Sequence, residues 1–161
     1  MKSKTLSLRK QLTTMVVFSI IAVASPLKAD ITVRVHMIDA RTGEHIPKKP
    51  VRMWIMNSPG HWRPGYLEEK TDATGVATFH MGGTTPSHLD IHIGMGGRWE
   101  QCSPNDRPGY SVEEVLSSGV SREGFCGKLP IMANKYHANP GEVYIFAVHL
   151  TFGERLREPR G

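Results

Sequence analysis

Apolar and polar residues alternate with a period of two in four short stretches of this chain, and glycine or proline follows each stretch within a few residues. The stretches are Ile31 to Ile38 (ITVRVHMI), Val51 to Met56 (VRMWIM), Val76 to Met81 (VATFHM) and His88 to Met95 (HLDIHIGM). A period of two gives one apolar face only to an extended strand, whereas a helix would scatter these residues around its axis. In the first stretch Val33, Val35 and Met37 point one way, and Thr32, Arg34, His36 and Ile38 the other. In the second, Val51, Met53 and Ile55 oppose Arg52, Trp54 and Met56.

A fifth stretch, Glu142 to Phe152, is nearly all apolar and reads as a central strand covered on both faces. Asp39 to Gly43 and Thr71 to Gly75 read as tight turns, in which an aspartate closes an Asx turn and a glycine supplies positive φ. Asn57 to Gly65 reads as a loop, and Leu67 to Thr71 as a short strand. Several short strands with Gly/Pro turns and little helix specify an all-β sandwich of about seven strands.

The stretch from about Gly96 to Gly141 departs from this pattern. It carries one short helix around Val112 to Leu116, with Ser111 as N-cap, Glu114 at the capping-box position and Gly119 as its stop. It also holds both cysteines, Cys102 and Cys126. An even cysteine pair in an exported chain predicts a disulfide, and one bridge would tie down an insert too long to stay ordered as a loop.

Export is read from the first 29 residues. A basic start (Lys2, Lys4, Arg9, Lys10), an uncharged core from Met15 to Ala24 and the exit Leu27-Lys28-Ala29 are the three parts of a signal peptide. The core is about half of the roughly 20 residues that span a bilayer. Cleavage after Ala29 is expected, leaving a single domain over residues 30–161 that is secreted or periplasmic and has no membrane span. Five of the 20 basic residues and none of the 15 acidic ones lie in positions 1–29. The remaining chain is therefore balanced at 15 of each sign, and the high overall pI carries no nucleic-acid footprint.

Two segments carry a family likeness. Val33 to Pro47 (VRVHMIDARTGEHIP) resembles the first strand and turn of prealbumin-like domains, and Thr71 to Phe79 (TDATGVATF) resembles their T-D-x-x-G-x-A-x-F hairpin. The group includes carboxypeptidase regulatory-like domains, collagen-adhesin B-type repeats and transthyretin, and the likeness covers about half the chain. It implies an immunoglobulin-like β-sandwich and a non-enzymatic role. Adhesin repeats often carry a Lys–Asn isopeptide bond. Here Arg34 stands where the lysine would be wanted and the last strand has no Asn or Asp, so none is expected. Hydroxyisourate hydrolases share the transthyretin fold, and their H-x-x-D motif is matched by His36 to Asp39. Their arginine after the T-D-x-x-G turn is Val76 here and their C-terminal Y-R-G-S is missing, so this enzymatic reading is disfavoured and no catalytic residue is assigned.

The leading expectation is a binding module for a carbohydrate or a protein surface. Its candidate residues are His61, Trp62, Arg63 and Tyr66, in a Pro/Gly-framed loop, with Trp99 as a second point; Trp54 reads as packing. The alternative is metal binding through the strand histidines His36, His80, His92 and His149, although no two are spaced as a ligand pair on one element. Without a partner, His36 reads as a solvent-facing residue beside Arg34. No cofactor is expected.

Overall fold

The computed structural model describes residues 30–58, 61–62, 65–83, 85–93, 99–104, 109–122, 124–126, 129–130, 135–151 and 153. The proposed leader, the 94–98 segment and Arg63 lie outside the described residues.

Five strands make the first sheet. In it β1 (Ile31–Asp39) lies between β5 (Val76–Met81), antiparallel, and β13 (Glu142–His149), parallel. The far edge of β13 is completed by β10 (Val120–Ser121) at one end and β7 (Trp99–Gln101) at the other. The second sheet is built on β2 (Pro50–Ser58). One side of it pairs with β6 (His88–Ile93), and β6 in turn with β9 (Tyr110–Ser111). Its other side pairs with β3 (His61–Trp62) and β4 (Leu67–Lys70). A small third sheet joins β8 (Ser103–Pro104), β11 (Gly124–Cys126) and β12 (Leu129–Pro130).

The core is the one the alternation predicts. Val33, Val35, Met37, Ala77, Phe79, Val143 and Ile145 of the first sheet form one buried cluster with Val51, Met53, Leu89 and Ile91 of the second. Burying an aliphatic or aromatic side chain contributes about 1.5–3 kcal/mol, so this cluster is the main favourable term of the fold. β13 is buried on both faces, as its apolar run requires. Beyond the sheet, its outward residues Phe146 and Val148 join Ile38, Cys102 and Cys126 in a second buried cluster. The Cys102–Cys126 disulfide is formed. It holds the insert against the outer face of the first sheet, where the Cys102 N–H donates to the Phe146 carbonyl at 2.8 Å.

Both turns are closed as expected. Asp39 Oδ1 accepts from the Arg41 N–H at 2.8 Å, and Gly43 has φ 77°. Asp72 Oδ1 accepts from the N–H groups of Thr74 and Val76 at 2.8 and 3.0 Å. Thr71 then fastens this turn to the first connection: its hydroxyl donates to the Ile46 carbonyl and accepts from the Lys49 N–H, both at 2.9 Å. The short helix α1 (Val112–Ser117) is capped by Ser111, whose hydroxyl accepts from the Glu114 N–H at 3.5 Å, and buries Val112 and Val115. Among the described residues no helix is long and apolar enough to cross a membrane.

Among the described residues the strands outside the insert are seven, β1 to β6 and β13, in line with the about seven expected, and the insert adds six pieces of two or three residues, β7 to β12. A period of two cannot register in so short a piece; only pairing with a neighbour makes it a strand. Two expectations need correction. The expected loop after Asn57 doubles back as β3, with Trp62 opposite Met56 and His61 opposite Ser58. Met56, expected to face outward, is only 2% exposed, at the point where the pairing of β2 with β3 slips in register.

Candidate functional site

The outward phase of the second sheet gathers aromatic and charged groups that are half-buried or exposed. Arg52 and Trp54 leave β2 on the face opposite the buried Val51 and Met53. Pairing with β6 sets His92 beside Arg52 and Asp90 beside Trp54, and pairing with β4 sets Glu68 beside Arg52. Tyr66, just before β4, is 47% exposed.

Trp54 is the centre of this group. Its ring lies 5.1 Å from that of Tyr66, tilted by 47°, and 5.3 Å from that of His92, edge to face. The Arg52 guanidinium stands 4.8 Å over the Tyr66 ring, and its Nε donates to Glu68 Oε2 at 2.6 Å. His92 Nε2 is 3.0 Å from Asp90 Oδ1. Polar partners thus hold the rings from both sides, so little side-chain freedom remains to be lost when a ligand stacks on them. An open face of this kind suits a ligand with one apolar face and a rim of hydroxyls.

Of the residues singled out in the sequence, Tyr66 belongs to this surface. His61 and Trp62 sit in β3 farther along β2, and Arg63 lies outside the described residues. Trp99 is elsewhere: it packs partly against the main core, with the His149 ring at 5.2 Å and Lys49 Nζ 5.9 Å above it. Trp54 is not core packing but the middle of the outer face. The parity of β2 was its signal, since Met53 is buried and Trp54 must then point outward. His92 follows by the same parity in β6.

The four strand histidines stand in four separate settings: His36 against Tyr144, His80 beside Thr32, His92 on Trp54 and His149 on Trp99. Among the described residues no three His, Cys, Asp or Glu side chains converge as a metal set would.

His36 is not the solvent-facing residue expected from its place beside Arg34. Its ring stacks on Tyr144 at 4.4 Å and meets His45 edge-on at 5.8 Å, and its side chain is 13% exposed. Nε2 lies 3.4 Å from Glu142 Oε1, and neither ring nitrogen has a well-aligned hydrogen-bond partner. Glu142 is held by Arg34 at 2.9 Å and by the backbone and side-chain N–H groups of Asn139 at 3.0 and 2.9 Å. Burial lowers the His36 pKa below its ordinary value of 6.5, and the pull of Glu142 offsets only part of that. Asp39, the other end of the H-x-x-D match, is occupied in its turn.

A pH dependence follows. The unfolded chain takes up a proton near pH 6.5, which the folded His36 resists, so the folded state loses stability as pH falls below 6.5. Thermal melts between pH 7 and pH 5 should show this fall, and His36→Phe, which keeps a ring on Tyr144, should flatten it. An equally steep fall in the variant would place the effect on other groups. Glu142 acts in a lower window. Burial raises its pKa, but the Asn139 hydrogen bonds and the His36 and Arg34 charges outweigh burial and hold it below 4.5, so its contribution fades only under stronger acid.

A cleft of about 430 Å³ opens between the Asp39 to Gly43 turn and Lys135–Tyr136, above Ile38 and Phe146. The Tyr136 hydroxyl donates to the Gly43 carbonyl at 2.9 Å across one end of it. Its walls are about a hundred residues apart in the chain, so no local pattern announces it.

No family profile matches this chain, and no curated protein matches it. Among solved structures the chain is similar to the full-length major pilin SpaD from Corynebacterium diphtheriae, with a TM-score of 0.44 and 10% sequence identity. That alignment covers 75% of this chain and 32% of the pilin, so the chain spans about a third of the pilin's length. A likeness at this level assigns no function.

Proposed function

We propose that this chain is an exported, non-enzymatic binding module of prealbumin-like type, and that it holds carbohydrate on the outer face of its second sheet. A leader over residues 1–29 and one domain over residues 30–161 complete this reading. The observation that carries it is the open cluster of Trp54, Tyr66 and His92, braced by Arg52, Glu68 and Asp90. Trp and Tyr present large rigid surfaces at low entropic cost, and the flanking polar groups match the hydroxyl rim of a sugar. The two Asp–Gly turns that carry the prealbumin resemblance, each closed by its aspartate, support the fold assignment. The disulfide supports export. The separate settings of His36, His80, His92 and His149 lend the metal-binding alternative no support.

Calorimetric titration with soluble glycans, peptidoglycan fragments among them, tests the proposal. Trp54→Ala and Tyr66→Ala should each weaken binding about ten- to thirtyfold while leaving the melting temperature within a few degrees. Glycan binding that survives both changes would remove this face from consideration.

A further inference from the structure

A sandwich must do something with its sheet edges, because an unpaired strand offers a row of free N–H and C=O groups to any extended chain. Among the described residues, three of the four edges of the two main sheets are blunted. The far side of β13 carries only the two- and three-residue strands β10 and β7. The far side of β6 carries β9, and beyond it the Gln101 side chain, which accepts from the Ile93 N–H at 2.8 Å and donates to the Ile91 carbonyl at 2.9 Å. On the other side of β2, β4 carries the charges of Glu68, Glu69 and Lys70.

The fourth edge is different. β5 is six residues long, VATFHM, with no proline and no Asp, Glu, Lys or Arg. Among the described residues β1 pairs with one side of it and no strand with the other. The Met37 N–H donates to the Gly75 carbonyl at 3.0 Å. That sets the phase of the antiparallel ladder, with Ala77, Phe79 and Met81 bonding inward to β1. Thr78 and His80 then present their backbone groups outward, and both side chains are exposed on the outer face.

We infer that β5 is a self-association edge, and that its occupant is β5 of a second copy of this chain, run antiparallel about a two-fold axis at Phe79. In that register Thr78 faces His80 of the other copy, and His80 faces Thr78, so two hydrogen-bonded pairs form at once. The match repeats a pairing already present inside the chain. On β1, Thr32 stands opposite His80, with its hydroxyl 3.1 Å from Nδ1. Phe79 meets its own copy on the buried side, so the two cores become neighbours. The strand carries no acid and no Lys or Arg to repel its own copy, unlike β4, where Glu68 and Glu69 would face like charges. Joining one sheet alone makes a modest interface, so the dimer is a weak one.

The test uses the full chain produced with its own leader and purified after export, in sedimentation velocity over a wide concentration range. Wild type should show a monomer–dimer equilibrium, and hydrogen exchange at the Thr78 and His80 amides should slow as concentration rises. Thr78→Glu with His80→Glu puts acid opposite acid twice and should weaken association about tenfold or more. Thr78→Lys with His80→Glu puts Lys opposite Glu twice and should restore it. Both pairs of changes lie on exposed positions, and melting temperatures check that each variant is folded. A wild type that stays monomeric, or a dimer that answers the two variants alike, overturns the inference.

Discussion

Cys102→Ser with Cys126→Ser is expected to lower the free energy of unfolding by about 3–4 kcal/mol. The two cysteines are 24 positions apart, so their bridge removes a loop of substantial entropy from the unfolded chain. The folded state loses as well. The bridge is itself part of the second cluster, with Ile38, Phe146 and Val148, on the outer face of the first sheet. With the tie cut, the main core, which keeps Val112 and Val115 of the helix, can stay folded while the segments around Cys102 and Cys126 lift away and uncover those side chains. Denaturant unfolding should show the loss directly, and melting should fall by roughly 10 °C. The variant should also bind a hydrophobic dye that the oxidised protein does not. A loss under about 1 kcal/mol with no dye binding would mean that packing alone holds the insert.

Gly119→Ala should cost about 3–5 kcal/mol, summed from backbone strain and overpacking. Gly119 follows the short helix with φ 71°, a region that disfavours any side chain. Its surroundings add a second cost: an added Cβ would lie within contact-breaking range of the Asn139 carbonyl oxygen and 2.7 Å from the Ala138 Cβ. Those residues are backbone and a short side chain, and they cannot swing aside. They also lead directly into β13, where the Gly141 N–H donates to the Val115 carbonyl at 2.7 Å and locks the helix to the central strand. Gly65→Ala is the matched control. Its φ is 94°, but nothing lies within 4 Å of the added carbon, so it should show the strain alone, about 1–2 kcal/mol. Equal losses at the two sites in chemical denaturation would show that the Ala138–Asn139 contact yields.

Much of the frame was legible in advance because it is written in short-range relations. β1, β2, β5 and β6 each follow from residues two apart, and their inward sets supply most of the main cluster. The Asp39 and Asp72 turns follow from an aspartate and a glycine within a few positions. The helix follows from Ser111, Glu114 and Gly119. The proposed binding surface is half legible in the sequence: Tyr66 stands out in its loop, while Trp54 reads as packing although the parity of its own strand points it outward. His36 misled for the opposite reason. Its parity does point outward, but the outer face of the first sheet is not bare.

The sequence by itself determined the long strands β1, β2, β5, β6 and β13, the inward face of most of their residues, the two Asp–Gly turns and the disulfide. These depend on backbone sterics and on a two-residue repeat, which act within a few positions of the chain. Only the tertiary structure decided what covers each outward face. Tyr144 and His45 close over His36 from 108 and nine positions away in the chain, and the disulfide-held insert covers Ile38. Pairing of β2 with β4 and β6 joins Arg52, Trp54, Tyr66 and His92 into one surface, and leaves β5 as the long uncharged edge. Such neighbours are fixed by which strands pair and in what register, and no local pattern encodes that.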